Sequence, residues 1–288
     1  MSRLTVKEQI REIDSAAEEF PEYLDLLNLR KAILEILLPV DDSSTKGARD
    51  ALSDEALRDL QAKAVASKRP ISSFLESSIF DEDEVSSIAG EIAEYLMRSR
   101  PGGEALDALL KALRSRVVDA REAIKATLGE DAEWFQRYGE EYGVEPSLLL
   151  FMFETPLRPF FEDLARRVEG KLRETWWEPF CPVCGRNSVV ARIRQGKRYM
   201  TCTFCGAEYL VDLFFCTNCG NNDPRTIGFI APEGLTGCEI NYCEKCNRYT
   251  KVLYEDRLMR KIPRGLEDLL TRGLDELARG EEFGFKRA

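Results

Sequence analysis

Cys181-Pro182-Val183-Cys184-Gly185, Cys202-Thr203-Phe204-Cys205-Gly206, Cys216-Thr217-Asn218-Cys219-Gly220 and Cys243-Glu244-Lys245-Cys246-Asn247 are four copies of one short device. Two intervening residues let both sulfurs of a pair reach a single ion about 2.3 Å away, so each pair supplies half a tetrahedron. The N–H groups of such a tight turn point toward the thiolates. Glycine follows the second cysteine in three copies, where a positive φ is often needed, and the fourth has Asn247, which also tolerates left-handed geometry. One Cys-x-x-Cys could be a redox dithiol, whereas four in a short stretch point to metal.

Pairing in sequence order joins Cys181/Cys184 with Cys202/Cys205 and Cys216/Cys219 with Cys243/Cys246, leaving a loop in each that suits a β-hairpin. The result is two tandem rubredoxin-like or zinc-ribbon-like sites. An interleaved cross-brace, first pair with third and second with fourth, is the alternative. Tetrahedral sulfur ligation suits zinc and mononuclear iron alike, so the cofactor expectation is two tetrahedral metal ions, iron or zinc, each held by four cysteines. Such sites are closed and leave no coordination position for a substrate. Cys238, the ninth cysteine, reads as a neutral, partly buried thiol, against an alternative ligand or a reactive sulfur beside the second site.

At 288 residues with 44% hydrophobic content the chain can build a packed core without help from metals. Its formal charge of −10 repels polyphosphate, and the cysteine region balances acidic against basic residues, so bound thiolates make it anionic. Nucleic acid is therefore not an expected partner. The absence of histidine excludes Ser-His-Asp and Cys-His catalysis and His-ligated zinc hydrolysis. No acid, base or nucleophile is nominated, and no Gly-x-Gly-x-x-Gly or P-loop precedes a helix. Neither a secretory leader nor a run of roughly 18 apolar residues is found, which leads to the expectation of a cytoplasmic protein without membrane insertion. In that reducing compartment the cysteines are thiolates rather than disulfides.

Outward from the cysteines, the fold class reads as α+β: a helical domain over 1–177, a tandem four-cysteine metal-binding module over 178–256 and a short helical tail over 257–288. Thr5 and Glu8 form a candidate capping box, and Leu24, Leu27, Ile33, Leu34, Leu37 and Leu38 recur at helical spacing before Pro39. Asp41–Gly47 and Arg98–Gly103 read as polar connections. Helices are expected near 53–66, 84–98, 104–127, 131–142 and 146–174, with Pro156 and Pro159 interrupting the last. Leu148–Phe153 is the expected central core segment. Phe160, Phe161, Trp176 and Trp177 are expected to pack the two domains together, with partner contact as the other reading. Short strands are expected around Tyr199–Thr201 and Tyr209–Phe214. Leu266, Leu269, Leu270, Leu274 and Leu277 give the tail one apolar stripe for docking on the body.

The string Cys181–Gly185, then Arg198-Tyr199-Met200-Thr201-Cys202-Thr203-Phe204-Cys205, Phe215-Cys216-Thr217-Asn218-Cys219, Tyr242-Cys243-Glu244-Lys245-Cys246 and Lys251-Val252-Leu253-Tyr254 resembles the FdhE family of formate dehydrogenase accessory proteins. The order of helical domain, two knuckle sites and helical tail matches as well. The resemblance is specific from about Phe180 to Glu255. It implies a cytoplasmic, non-catalytic assembly factor that binds the immature catalytic subunit of a molybdenum-dependent formate dehydrogenase, or a related molybdoenzyme, before export. It also implies that the eight paired cysteines are metal ligands, with iron a candidate metal. A rubredoxin-like electron-transfer duty is the alternative function, and a zinc-ribbon nucleic-acid binder a weaker third.

Overall fold

Helices occupy the first part of the chain and strands the second. The computed structural model describes residues 5–99, 106–129, 131–168, 172, 176–280 and 286–287, with the backbone alone for 41–49 and 286–287. The first helix, α1 (Val6–Glu19), starts at the expected capping box: Glu8 N–H donates to Thr5 Oγ1 at 3.3 Å and Thr5 N–H to the Glu8 carboxylate at 2.6 Å. In α2 (Leu24–Ala51), Leu27, Ile33, Leu34 and Leu37 are buried, while Leu24 faces outward.

The connection expected over Asp41–Gly47 is helical, because α2 continues through Pro39 to Ala51. Proline removes one hydrogen bond and strains the turn before it. Burial of Leu34, Leu37 and Val40 on either side of Pro39 holds the helix across that defect. The polar residues that follow cost a helix no more than about 0.7 kcal/mol each. Two further helices, α3 (Asp54–Ser67) and α4 (Glu82–Ser99), lie near their expected positions. Residues 100–105, in which the rest of the second connection falls, are outside the described residues.

The helix expected over 104–127 is divided into α5 (Leu106–Arg114) and α6 (Ala120–Gly129). Arg116 adopts a left-handed φ of 57°, and the Asp119 carboxylate accepts the N–H groups of Arg121 and Glu122 at the start of α6. After α7 (Ala132–Tyr142), the prolines divide the last stretch as expected into α8 (Pro146–Glu154), a 3-10 turn over Thr155–Leu157, and α9 (Arg158–Val168). Within the expected core segment, Leu149, Met152 and Phe153 are buried, and the Phe153 ring meets Trp134 edge-on at 5.8 Å. The expected helix end near 174 lies outside the described residues.

The strands are β1 (Val190–Arg194), β2 (Lys197–Thr201), β3 (Glu208–Val211), β4 (Ile227–Ile230), β5 (Cys238–Cys243), β6 (Arg248–Tyr254) and β7 (Lys286–Arg287). They form one sheet in the order β3-β2-β1-β6-β5-β4, with β7 on β6. The β1–β2 hairpin closes through Gln195 and Gly196, both at positive φ, as a twisted two-residue turn requires. Expected strand residues Asp212–Phe214 instead form an exposed turn after β3. The chain runs through the same plan twice: a cysteine pair, two strands, a second pair between strands, and a third strand. The two units are joined where β1 pairs β6 in parallel, so both cysteine groups belong to one sheet.

Two further helices, α10 (Glu267–Leu270) and α11 (Arg272–Arg279), close the tail on this sheet, with Leu274 and Ala278 packed against Ile240 and Tyr249. The apolar stripe is only part of that docking. The two central strands each carry a buried cation aimed at the tail. Arg192 of β1 donates to Glu267 at 2.8 Å and to the Ile262 carbonyl at 2.9 Å. The fully buried Lys251 of β6 lies 2.7 Å from the carboxylates of Asp268 and Asp275, and Asp275 also accepts the Tyr249 hydroxyl at 2.7 Å. Removing one partner of a buried ion pair strands the other charge. Asp275→Ala leaves Lys251 with Asp268 but takes the acceptor from the Tyr249 hydroxyl, and is expected to lower unfolding free energy by about 1–3 kcal/mol, with Lys251→Met and Asp275→Leu together recovering most of it; urea midpoints of the two variants check this.

Candidate metal centres

All four knuckles have the same backbone wiring. The residue after the second cysteine returns its N–H to the first cysteine's carbonyl: Gly185 to Cys181 at 2.9 Å, Gly206 to Cys202 at 2.8 Å, Gly220 to Cys216 at 2.9 Å and Asn247 to Cys243 at 2.8 Å. That bond forces a left-handed conformation on the donor, with φ of 83°, 61°, 71° and 55° respectively. Asparagine therefore fills the role of glycine in the fourth copy.

The structure groups the cysteines in sequence order. Cys181, Cys184, Cys202 and Cys205 form one set and Cys216, Cys219, Cys243 and Cys246 the other, each with sulfurs within 4.8 Å of one another. The interleaved cross-brace is not the observed arrangement. Cross-pair sulfur separations are 3.5 Å for Cys181–Cys205 and Cys184–Cys202, 3.6 Å for Cys216–Cys246 and 3.8 Å for Cys219–Cys243. A tetrahedron with bonds of about 2.3 Å has sulfur–sulfur edges of about 3.8 Å, so both groups are sized to hold a metal ion. The donor set is sulfur alone.

The environments of the two groups differ. The inner group is buried at all four cysteines within the main core, between helices and sheet. Helical elements grip its knuckles directly: Ile71 and Ser72 N–H groups donate to the Pro182 and Val183 carbonyls at 2.9 Å, and Arg158 donates to the Thr203 carbonyl at 2.9 Å. Arg186 pairs with Glu154 at 2.6 Å and lies 3.8 Å over the Phe204 ring, which in turn meets Phe161 at 5.4 Å. The outer group belongs to a small satellite cluster of Cys216, Ile227 and Cys243, with Cys219 exposed and Cys246 half-buried.

Burial pushes the Cys181 and Cys205 thiols well above the usual range, while hydrogen bonds from Cys181, Cys184 and Cys205 hold Cys202 well below it. In the outer group burial raises Cys216 and Cys219. Burial opposes ionisation of Cys243 as well, but the N–H groups of Cys246 and Lys245, with the Asn221 amide and the Cys219 thiol, bring it down to about 7.

Two residues near the outer group were not singled out from sequence. Asn221 donates its side-chain amide to Cys243 Sγ at 3.4 Å. Arg198, fully buried, donates to the Phe215 carbonyl at 2.8 Å beside Cys216, and burial lowers its pKa to about 10. Both come into place through tertiary folding, and no spacing rule marks them. Cys238 opens β5 outside both groups, and burial raises its pKa, keeping it a neutral thiol. Of the junction aromatics, Phe160, Phe161 and Trp176 are buried, Trp176 donating to the Phe180 carbonyl at 2.7 Å, whereas Trp177 is 53% exposed. No helix among the described residues is long and apolar enough to cross a membrane.

A helical body is thus joined to one sheet that carries tandem four-cysteine knuckle groups, each of which could hold a metal ion. Residues 180–212, which span the inner group and β1–β3, match the family model described as FdhE, central domain. The chain is 30% identical over 148 residues to an FdhE homolog of Aquifex aeolicus, covering 50% of this chain and 52% of that protein. It is 30% identical over 135 residues to the FdhE protein of Escherichia coli strain K12, covering 45% and 42%. The chain thus spans about half the length of these relatives. Its fold is that of the FdhE crystal structure from Pseudomonas aeruginosa, with a TM-score of 0.61 at 20% identity over 100% of this chain and 95% of that one. The chain is thus similar in sequence to FdhE proteins over about half of its length and shares the FdhE fold.

A substitution at Gly220 isolates the knuckle's backbone requirement, since an added Cβ would meet nothing nearer than Pro179 Cγ at 4.0 Å. Gly220→Val is expected to cost about 1–2 kcal/mol from its left-handed backbone alone. Asn247→Gly is expected to stay within about 0.5 kcal/mol of the parent. Denaturant titration of the two metal-loaded variants gives the comparison.

Proposed function

We propose that this chain is a non-catalytic accessory factor that binds the immature catalytic subunit of a molybdenum-dependent formate dehydrogenase in the cytoplasm and supports its maturation before export. In this reading Cys181, Cys184, Cys202 and Cys205 hold one ion, and Cys216, Cys219, Cys243 and Cys246 a second, each iron or zinc. The observation that carries the non-catalytic part is the closure of each group: four sulfurs fill a tetrahedron and leave no position for substrate or activated water. The likeness to FdhE proteins supports the choice of target. The ions fold and brace the sheet, which supplies a fixed surface for a partner.

The exposure of Cys219 favours one second reading, electron transfer through an iron ion in the outer group. A visible absorption spectrum separates the two: ferric sulfur bands keep the redox duty, and a colourless zinc-filled protein ends it.

The maturation reading is tested by recovering the tagged full chain from its native cells under conditions that induce molybdoenzymes. A formate dehydrogenase catalytic subunit in the eluate, together with about two metal ions per chain, is the expected result. Metal without such an enzyme would require a different target.

A further inference from the structure

The duplicated plan of the sheet places two chemically identical groups in opposite settings, and the difference is largest at one sulfur. Cys181, Cys184, Cys202 and Cys205 are all buried in the main core, and both of their knuckles are bonded to helical elements through Ile71, Ser72 and Arg158. Opening that group requires separating the helices from the sheet. Cys219 is exposed, its neighbours Glu244 and Lys245 across the group are exposed, and Cys246 is half-buried. The outer knuckles close on a satellite cluster, so opening there breaks few apolar contacts.

We propose that the two groups divide their duties, the inner one holding its ion as a permanent staple and the outer one exchanging its ion with a thiolate-bearing ligand through Cys219. The exchange is a ligand substitution without oxidation. The incoming sulfur forms its bond to the ion as the bond to Cys219 breaks, and the freed Cys219 thiolate takes up the proton that the incoming thiol gave up. Cys216 and Cys243, both buried, hold the ion while this happens. Thr217 anchors the third knuckle by donating to the Ser188 carbonyl at 3.2 Å, and Glu244 N–H anchors the fourth on the Thr226 carbonyl at 3.0 Å. The two knuckles therefore remain in place while one sulfur swings out. This inference rests on the metal-binding reading proposed above.

The full chain loaded with zinc is treated with excess 4-(2-pyridylazo)resorcinol, with release followed by colour and freed thiols trapped by iodoacetamide for peptide mapping. The expected result is two phases of equal amplitude separated by at least about tenfold in rate. Cys216, Cys219, Cys243 and Cys246 should be labelled in step with the fast phase, and Cys181, Cys184, Cys202 and Cys205 only with the slow one. Cys219→Ser should speed the fast phase and leave the slow phase and the helical circular dichroism as in the parent. Release of both ions at one rate, or first labelling of the inner cysteines, overturns the division of duties while leaving metal binding intact. Fewer than about two zinc ions per chain after acid denaturation contradicts the metal reading itself and the proposal with it.

Discussion

Four sulfur atoms converge at 3.5 Å inside an apolar core, and little in hydrophobic packing alone would bring Cys181, Cys184, Cys202 and Cys205 to the corners of a tetrahedron. Burial resists ionising such a group, so its charge has to be met by a cation or withheld. The rest of the molecule is arranged around this constraint. The knuckle backbones turn sharply enough to aim paired sulfurs at one point, and the helices supply Ile71, Ser72, Arg158 and Glu154 to hold those turns from outside. On the reading proposed here, an ion in this group fastens the helical body to the sheet.

Charge on the sheet is managed in the same spirit. Arg192 and Lys251 occupy the two central strands, where buried cations are costly unless fully paired, and the tail brings Glu267, Asp268 and Asp275 to meet them. The tail's position is thereby specified by charge as well as by Leu274 and Ala278. Arg198 carries a third buried cation to the edge of the outer cysteine group.

The cysteine groups were legible because metal ligation imposes a local rule on sequence, and the Cys-x-x-Cys spacing with its trailing Gly or Asn states that rule openly. The capping box at Thr5 and Glu8 was legible for the same reason. Features decided by tertiary context were not. The passage of α2 through Pro39 depends on burial around it, and the break before α6 was signalled only by Asp119 within an otherwise helical pattern. The parallel β1–β6 pairing that merges two modules into one sheet joins strands far apart in the chain, and nothing in the residues next to Lys251 marks the carboxylates that meet it from the tail.

The most direct test of two sulfur-only metal centres is X-ray absorption at the metal edge of the as-purified full chain, with metal content measured on the same sample. The account predicts about two ions per chain, each with four sulfur neighbours at about 2.3 Å. Oxygen or nitrogen neighbours in the first shell, or a chain that carries no metal, would contradict it.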